Sequence, residues 1–288
     1  MRQPPVNLFS PKVVTSLLQR HGVRTNKALG QNFLLDKNTL ERIVSAAKLE
    51  GDEAVLEIGP GLGALTRMLA ERAACVESVE IDAGFVRVLS ETLADVPNAR
   101  VEHADFLKLD LAAWAGQHLD PLPATVVANV PYYITSPLLV ALLETGSLWS
   151  RIVVLVQKEV ADRLKAGPGT PQYGSLSVFA QFHAAVEMVG VVPRGVFYPP
   201  PKVDSAIVRL TPTETPPVAV SDPRLFERVV RAAFGQRRKT LSNALSSLPG
   251  RSRGDVLAAL EAAGIDPKRR GETLDMQAFA DITNALTR

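Results

Sequence analysis

At 288 residues the chain is long enough for one large domain and a smaller one, and its 46% hydrophobic and 22% charged content is that of a folded globular protein. A net charge of +2 excludes a nucleic-acid role built on global charge and leaves only local basic patches. One cysteine excludes an internal disulfide, four scattered histidines argue against a structural zinc cluster, and no apolar run has transmembrane length.

From Met1 to Leu35 there is no acidic residue, while Arg2, Lys12, Arg20, Arg24 and Lys27 are present. This segment reads either as a solvated, partly disordered basic arm or as one that meets phosphate. It ends in a tight loop, Leu29–Leu34, with Asp36 as the cap of a helix through about Leu49. Ala54–Ile58 is a buried strand that runs into Gly59-Pro-Gly-Leu-Gly63 and then an amphipathic helix, Ala64 to about Ala73. Glycines at such a turn let the backbone approach a ligand closely. The next strand, Cys75–Ile81, places Glu80 near its end; Cys75 itself reads as a buried thiol. Glu80 can accept ribose hydroxyls, or it can cap the helix that begins near Ala83. A third strand, Arg100–Ala104, delivers Asp105, which can accept from an adenine amino group or simply end the strand.

Ala124–Ala128 is short and β-branched and leads into Asn129-Val-Pro-Tyr132. Asn129 falls at the carboxyl end of a strand, where open α/β sheets place their ligands. Pro131 stops strand pairing, leaving a side-chain amide, free backbone carbonyls and an aromatic ring on a stiff turn. Taken alone, an ordinary strand-to-loop junction accounts for it. A helix over Pro137–Leu143 and a strand over Arg151–Gln157 follow. Four strand ends, at Gly59, Glu80, Asp105 and Asn129, thus carry glycine or polar residues at one rim of one α/β sheet.

Beyond lies a charged helix, Lys158–Lys165, and then two strands, Ala184–Val192 and Val203–Leu210. The proline-rich connector between these strands holds Phe197 and Tyr198, either packed under the loop or part of a cleft wall. The expected domains are a basic arm over 1–35, a sheet domain over 36–210, a linker over 211–221 and a helical domain over 222–288. The helices predicted there are Pro223–Phe234, Arg238–Leu248, Arg253–Ala263 and Asp275–Leu286. On the first, Leu225, Val229, Ala233 and Phe234 share an inner face. Arg224, Arg228 and Arg231 share another, with Arg237-Arg238-Lys239 just beyond: a solvated face, or a surface for RNA or DNA.

The rim fits two ligands. A nicotinamide site would use Gly59-x-Gly61-x-x-Ala64 but leaves Asn129–Tyr132 and the basic surfaces idle and offers no hydride-handling histidine. S-adenosylmethionine uses every station: the glycine turn meets its methionine end, Glu80 the ribose and Asp105 the adenine, with the sulfonium toward Asn129. An exocyclic adenine nitrogen is a poor nucleophile because its lone pair is delocalised. Acceptors at the Asn129 side chain and the Pro131 carbonyl would orient its hydrogens, and Tyr132 would stack on the ring. Positioning and electrostatics would carry the chemistry, with no metal.

Several segments, in order, carry a resemblance: Gly30-Gln-Asn-Phe-Leu34, Glu57-Ile-Gly-Pro-Gly-Leu-Gly63, Glu80-Ile-Asp82, Asp105, Asn129-Val-Pro-Tyr132, Gln157-Lys-Glu159, Tyr173-Gly174, Phe197-Tyr-Pro-Pro-Pro-Lys-Val-Asp-Ser205 and Phe234-Gly-Gln-Arg-Arg-Lys-Thr240. From about Lys27 to the C-terminus the chain resembles the KsgA (RsmA) family of small-subunit ribosomal RNA adenine dimethyltransferases. The resemblance implies a Rossmann-like class I methyltransferase sheet, mostly parallel with an antiparallel strand at one edge, and a small C-terminal helical domain. It implies S-adenosyl-L-methionine bound through Gln31, Asn32, Leu34, Gly59, Gly61, Glu80, Asp105 and Asn129, with S-adenosyl-L-homocysteine as product. Asn129, Pro131 and Tyr132 would be catalytic, and Phe197 would sandwich the target base opposite Tyr132.

The implied reaction is N6,N6-dimethylation of two adjacent adenosines in the hairpin loop near the 3′ end of small-subunit ribosomal RNA, linked to late subunit assembly. The implied partner is the assembling small subunit, met by a cytoplasmic monomer with no membrane contact. The chain departs from the family at Val130, where Leu is usual, and at Ser175, where Arg is frequent; an RNA contact by that Arg is missing or supplied elsewhere. The related large-subunit enzymes of the macrolide-resistance type share the rim stations, whereas the Phe197–Ser205 and Phe234–Thr240 segments favour the small-subunit family. An assembly factor with weak catalysis is the third alternative.

Overall fold

Short apolar runs bounded by glycine, proline and acidic residues become strands, because a sheet covered on both faces can bury every residue of such a run. The computed structural model describes residues 7–23, 32–236 and 238–287. Its strands are β1 (Phe33–Leu34), β2 (Ala54–Ile58), β3 (Cys75–Glu80), β4 (Ala99–His103), β5 (Ala124–Asn129), β6 (Trp149–Gln157), β7 (Ala184–Val192), β8 (Phe197–Tyr198) and β9 (Ser205–Pro212). Seven form one sheet in the order β4-β3-β2-β5-β6-β9-β7. The first five of that order run parallel and β9 is antiparallel to β6, giving the expected mostly parallel sheet with an antiparallel edge. β1 and β8 make a separate antiparallel pair with Phe33 opposite Tyr198 and Leu34 opposite Phe197.

All five residues of β2 are buried. The helix Lys37–Ala47 covers one face, with Leu40, Ile43 and Val44 in a cluster that includes Val55, Val127 and Val153. Asp36 caps it, accepting the Thr39 N–H at 2.8 Å. At its other end the Arg151 guanidinium donates to the Ala47 carbonyl at 2.8 Å, placing positive charge at the negative end of the helix dipole.

The basic N-terminal segment is not a solvated arm where it is described. Pro11–Arg20 is a helix whose Val14, Leu17 and Leu18, spaced i, i+3, i+4, are buried in a cluster with Leu62, Phe85 and Val88. Arg20 and His21 both reach Glu91, at 2.9 and 2.7 Å. Arg2, Arg24 and Lys27 lie outside the described residues.

The chain falls into two units: one holds residues up to Ala161 together with Val186–Pro212, the other Asp162–Ala185 and Thr213 onward. This differs from the expected boundaries of 36–210, 211–221 and 222–288. Tyr173, Val178 and Phe182 are apolar and belong to the core of the helical unit, beside Phe226, Val229, Leu260 and Phe279, so their segment goes with it. The stretch read as a linker is partly docked there too: Val218 and Val220 pack on that core, and the Ser221 N–H donates to Asn284 at 2.8 Å. The unit's helices are Ser175–His183, Pro223–Gly235, Leu241–Leu245, Arg253–Ala262 and Met276–Thr287. The helix expected over Arg238–Leu248 shortens because the amides of Leu241 and Ser242 bond instead to the carbonyls of Arg269 and Pro267.

Candidate active site

Parallel strands end on the same side of a sheet, so the order β4-β3-β2-β5 brings Asp105, Glu80, Gly59 and Asn129 to one rim. All four border one cavity of about 360 Å³, a volume typical of small-molecule sites.

The glycine turn leaves β2 in conformations that side chains disfavour, with φ of +70° at Gly59 and +86° at Gly63. Gly63 opens the helix Ala64–Ala70, and a Cβ there would lie 3.0–3.2 Å from Leu93, Leu89 and Thr92. At Gly59 the nearest atom to such a Cβ is the Pro131 ring, 4.0 Å away, so the backbone stays open toward the cavity. Gly61 borders the same space.

Glu80 is buried, and its carboxylate accepts the Asp82 N–H at 2.9 Å. Burial pushes its pKa up. It is not the helix cap: Asp82 caps Ala83–Thr92, accepting the Gly84 N–H at 2.7 Å. Asp105 caps the short turn Phe106–Lys108, accepting the Leu107 N–H at 3.2 Å, and pairs with Lys108 at 3.2 Å. It ends its strand and also lines the cavity.

Asn129 is half-buried at the cavity wall, and its side-chain amide has no hydrogen-bond partner among the described residues. Val130 is buried, which explains why an apolar residue stands there. The Pro131 carbonyl, expected to be free, is not. It accepts the Ile134 N–H at 3.1 Å, because Tyr132–Ile134 winds into a 3-10 turn. The Thr135 hydroxyl also lies within 3.4 Å of it and within 3.2 Å of the Tyr132 carbonyl. A carbonyl has two lone pairs, so one remains for a ligand when Thr135 bonds to Tyr132 instead.

The Tyr132 hydroxyl is 2.9 Å from the Ser205 hydroxyl, and burial raises the phenol pKa. Phe197 borders the cavity from β8 but is only 5% exposed, packed in the cluster with Leu34 and Leu40. Asn32 and Leu34 also border it, Leu34 buried in β1 opposite Phe197; Gln31 lies outside the described residues.

The fold also brings here three residues to which the sequence pattern alone gives no role. Ser205 stands 73 residues from Tyr132, and only tertiary structure joins them. Leu8 reaches the cavity from the segment read as a basic arm. Glu57, on β2, lines the cavity at 1% exposure with the Ser78 hydroxyl donating to it at 3.2 Å. Burial, with a smaller push from Glu80, raises its carboxyl to about 7. Its signal was present: a carboxylate inside an otherwise apolar strand.

Other residues of the resembling segments are not among those that line the cavity. Tyr173 is buried in the helical unit, donating to the Leu274 carbonyl at 2.9 Å, and Phe234 stands edge-on to it at 5.4 Å. Ser175 opens the helix Ser175–His183. Arg224, Arg228 and Arg231 are exposed along one face of Pro223–Gly235 and make no ion pair among the described residues. Arg238 and Lys239 are exposed as well, and Arg237 lies outside the described residues. Among the described residues no group of His, Cys, Asp and Glu is placed to hold a metal ion.

A mostly parallel sheet whose four adjacent strand ends surround one adenosine-sized cavity defines a class I methyltransferase. Solved structures agree. A dimethyladenosine transferase from Plasmodium falciparum superposes with a TM-score of 0.71 at 28% identity, over 86% of this chain and 94% of that one. The 23S rRNA methyltransferase ErmE superposes with a TM-score of 0.66 at 32% identity, over 89% of this chain and all of that one. Residues 22–288 match the model of the family described as ribosomal RNA adenine dimethylase, and the chain belongs to that family. A ribosomal RNA small subunit methyltransferase A from Geobacillus thermodenitrificans (strain NG80-2) is 49% identical over 284 residues, which is 97% of each chain.

Proposed function

We propose that this protein dimethylates N6 of adenosines in small-subunit ribosomal RNA, the two adjacent adenosines of the hairpin loop near the 3′ end, during late assembly of the subunit. The observation that carries the reading is the Asn129 side-chain amide, without a hydrogen-bond partner among the described residues, on the wall of a cavity that also holds Glu80 and Asp105. Its donor set fits S-adenosyl-L-methionine. Carboxylates at Glu80 and Asp105 can accept from ribose hydroxyls and a ring amino group, and the open backbone at Gly59 and Gly61 can face the methionine end. Asn32 and Leu34 close the same wall. When bound, this cofactor supplies an electrophilic methyl group and leaves as S-adenosyl-L-homocysteine.

The chain's own residues then act on the acceptor base. The Asn129 side-chain oxygen and the remaining lone pair of the Pro131 carbonyl accept the two amino hydrogens of adenine and hold its nitrogen lone pair toward the methyl source. Tyr132, anchored through Ser205, presents its ring to the base, and Phe197 closes the opposite side. Extruding a base from structured RNA costs a few kcal/mol. The exposed Arg224, Arg228 and Arg231 offer phosphate contacts that offset this, with Arg238 and Lys239 beside them in sequence. A metal is not required by these roles.

Small-subunit RNA is favoured over large-subunit RNA because the nearly full-length relative at 49% identity carries the small-subunit name, against 32% for ErmE. Among the described residues no helix is long and apolar enough to cross a membrane. The reading places the protein in the cytoplasm as a monomer on the assembling subunit. The test offers labelled S-adenosylmethionine with unmethylated small and large subunits and maps the modified nucleotides. Two adjacent dimethyladenosines near the 3′ end of small-subunit RNA are expected; label on large-subunit RNA, or on none, refutes the assignment.

A further inference from the structure

We propose that Tyr133 is a stacking station for the nucleobase next to the target adenine; this rests on the RNA-methylating function above. Tyr132 and Tyr133 are neighbours on one 3-10 turn, where successive side chains diverge by about 120°. They meet different surroundings. Tyr132 is half-buried, with its hydroxyl tied to Ser205. Tyr133 is 52% exposed, and its hydroxyl has no partner among the described residues, yet it borders the same cavity.

A large ring held in water at the rim contributes little to the core, and an exposed aromatic at a binding cavity marks a contact surface. The backbone beneath it is fixed, because the Ile134 N–H closes the turn on the Pro131 carbonyl at 3.1 Å. The exposed apolar residues Ile81 and Leu107 also line this cavity, but Ile81 follows Glu80 and the Leu107 N–H bonds to Asp105, so they belong to its cofactor end. Tyr133 adjoins the ring that meets the acceptor base. Single-stranded RNA is held by stacking on aromatic faces, which is tolerant of base identity. A base drawn into the cavity leaves its neighbour with an uncovered face. Tyr133 covers that face and positions the strand; it touches no reacting atom.

The test measures KM for unmethylated small subunits, affinity for S-adenosylhomocysteine and Tm across variants of the full chain. Tyr133→Ala raises KM roughly tenfold, at the lower end of what one stacked base contributes. Its cofactor affinity and Tm stay at wild-type values. Tyr133→Phe and Tyr133→Trp keep the wild-type KM, whereas Tyr133→Leu, apolar but without a flat face, behaves like Tyr133→Ala. An unchanged KM in Tyr133→Ala overturns the proposal. So does full rescue by Leu, or a loss of cofactor affinity or Tm in Tyr133→Ala. If the wild-type chain itself labels no adenosine in small subunits, the function proposed above fails, a result distinct from an active wild type that is indifferent to Tyr133.

Discussion

The sheet rim and the core of the helical unit both hold residues that stand out in the sequence, and they use them in opposite ways. At the rim, the Asn129 side-chain amide has no hydrogen-bond partner among the described residues, and Glu57 keeps a buried carboxyl to which the Ser78 hydroxyl donates. Such groups cost stability, and the proposed function gives the Asn129 amide a ligand to meet. In the helical unit the polar group of Tyr173 is satisfied by the Leu274 carbonyl and its ring packs against Phe234. The fold leaves the polar atoms of some motif residues open, where the proposed function uses them, and closes those of others, where they serve the core.

The sharpest way to break this contrast is Asn129→Ala. Removing one preorganised polar contact at a reacting centre lowers kcat by roughly a hundredfold or more. No described residue bonds to that side-chain amide, so Tm should not fall. Methylation of small subunits followed beside a thermal melt checks both. A variant that unfolds as readily as it loses activity would make Asn129 a folding residue like Tyr173.

Glu57→Gln tests whether the rim carries a stability cost. The folded carboxyl, at about 7, lies above its ordinary value of 4.5. Between those pH values the folded chain holds a proton that the unfolded chain has released. Stability therefore falls as pH rises through this window and stays low above it. Glutamine cannot ionise, so Glu57→Gln is expected to be more stable than wild type by up to roughly 3 kcal/mol above about pH 8, with the gain fading below about pH 5. Urea unfolding across that range measures it. A pH-independent difference would mean that Glu57 is already neutral, or charged and compensated, throughout.

Tyr173→Phe is the matching test in the helical unit. It leaves the Leu274 carbonyl without its donor and should cost about 1–2 kcal/mol, while activity per folded molecule stays unchanged. The phenol is pushed up to about 12 by burial from an ordinary value of 10, so this loss should not vary with pH below about 10 and should shrink above it, where the unfolded phenol ionises first. A pH-dependent loss below that value, or a fall in kcat at unchanged stability, would move Tyr173 into the functional class.

The rim was legible in the sequence because each strand end is a local event: a short strand meets glycine, Glu80, Asp105 or Asn129, and parallel topology does the rest. What was hidden depends on distant partners. The pattern of Val14, Leu17 and Leu18 marks a helix, but the Phe85 and Val88 that bury it lie elsewhere in the chain. Asp162–Ala185 lies between sheet strands in sequence, and only its packing with Phe226 and Phe279 assigns it to the helical unit. The Pro131 carbonyl looked free because proline ends a strand, and the bond closing the 3-10 turn is not written in residue type.

The smallest expected effect, Ser205→Ala, asks how far the contrast holds within one residue pair. Tyr132 belongs to the rim by its ring, but its hydroxyl is satisfied within the protein, as that of Tyr173 is. Ser205 is fully buried, whereas Tyr132 is half-buried, so the phenol freed by Ser205→Ala can turn to water. The cost should fall near the low end for a neutral hydrogen bond, about 0.5 kcal/mol, a loss of roughly twofold in kcat. Tyr132→Phe should cost a similar amount while keeping the ring. The two changes remove the same contact, so the double variant should be no worse than either single one. Additive losses would show that Ser205 and the Tyr132 hydroxyl act separately, and the ring would then be held by its packing alone.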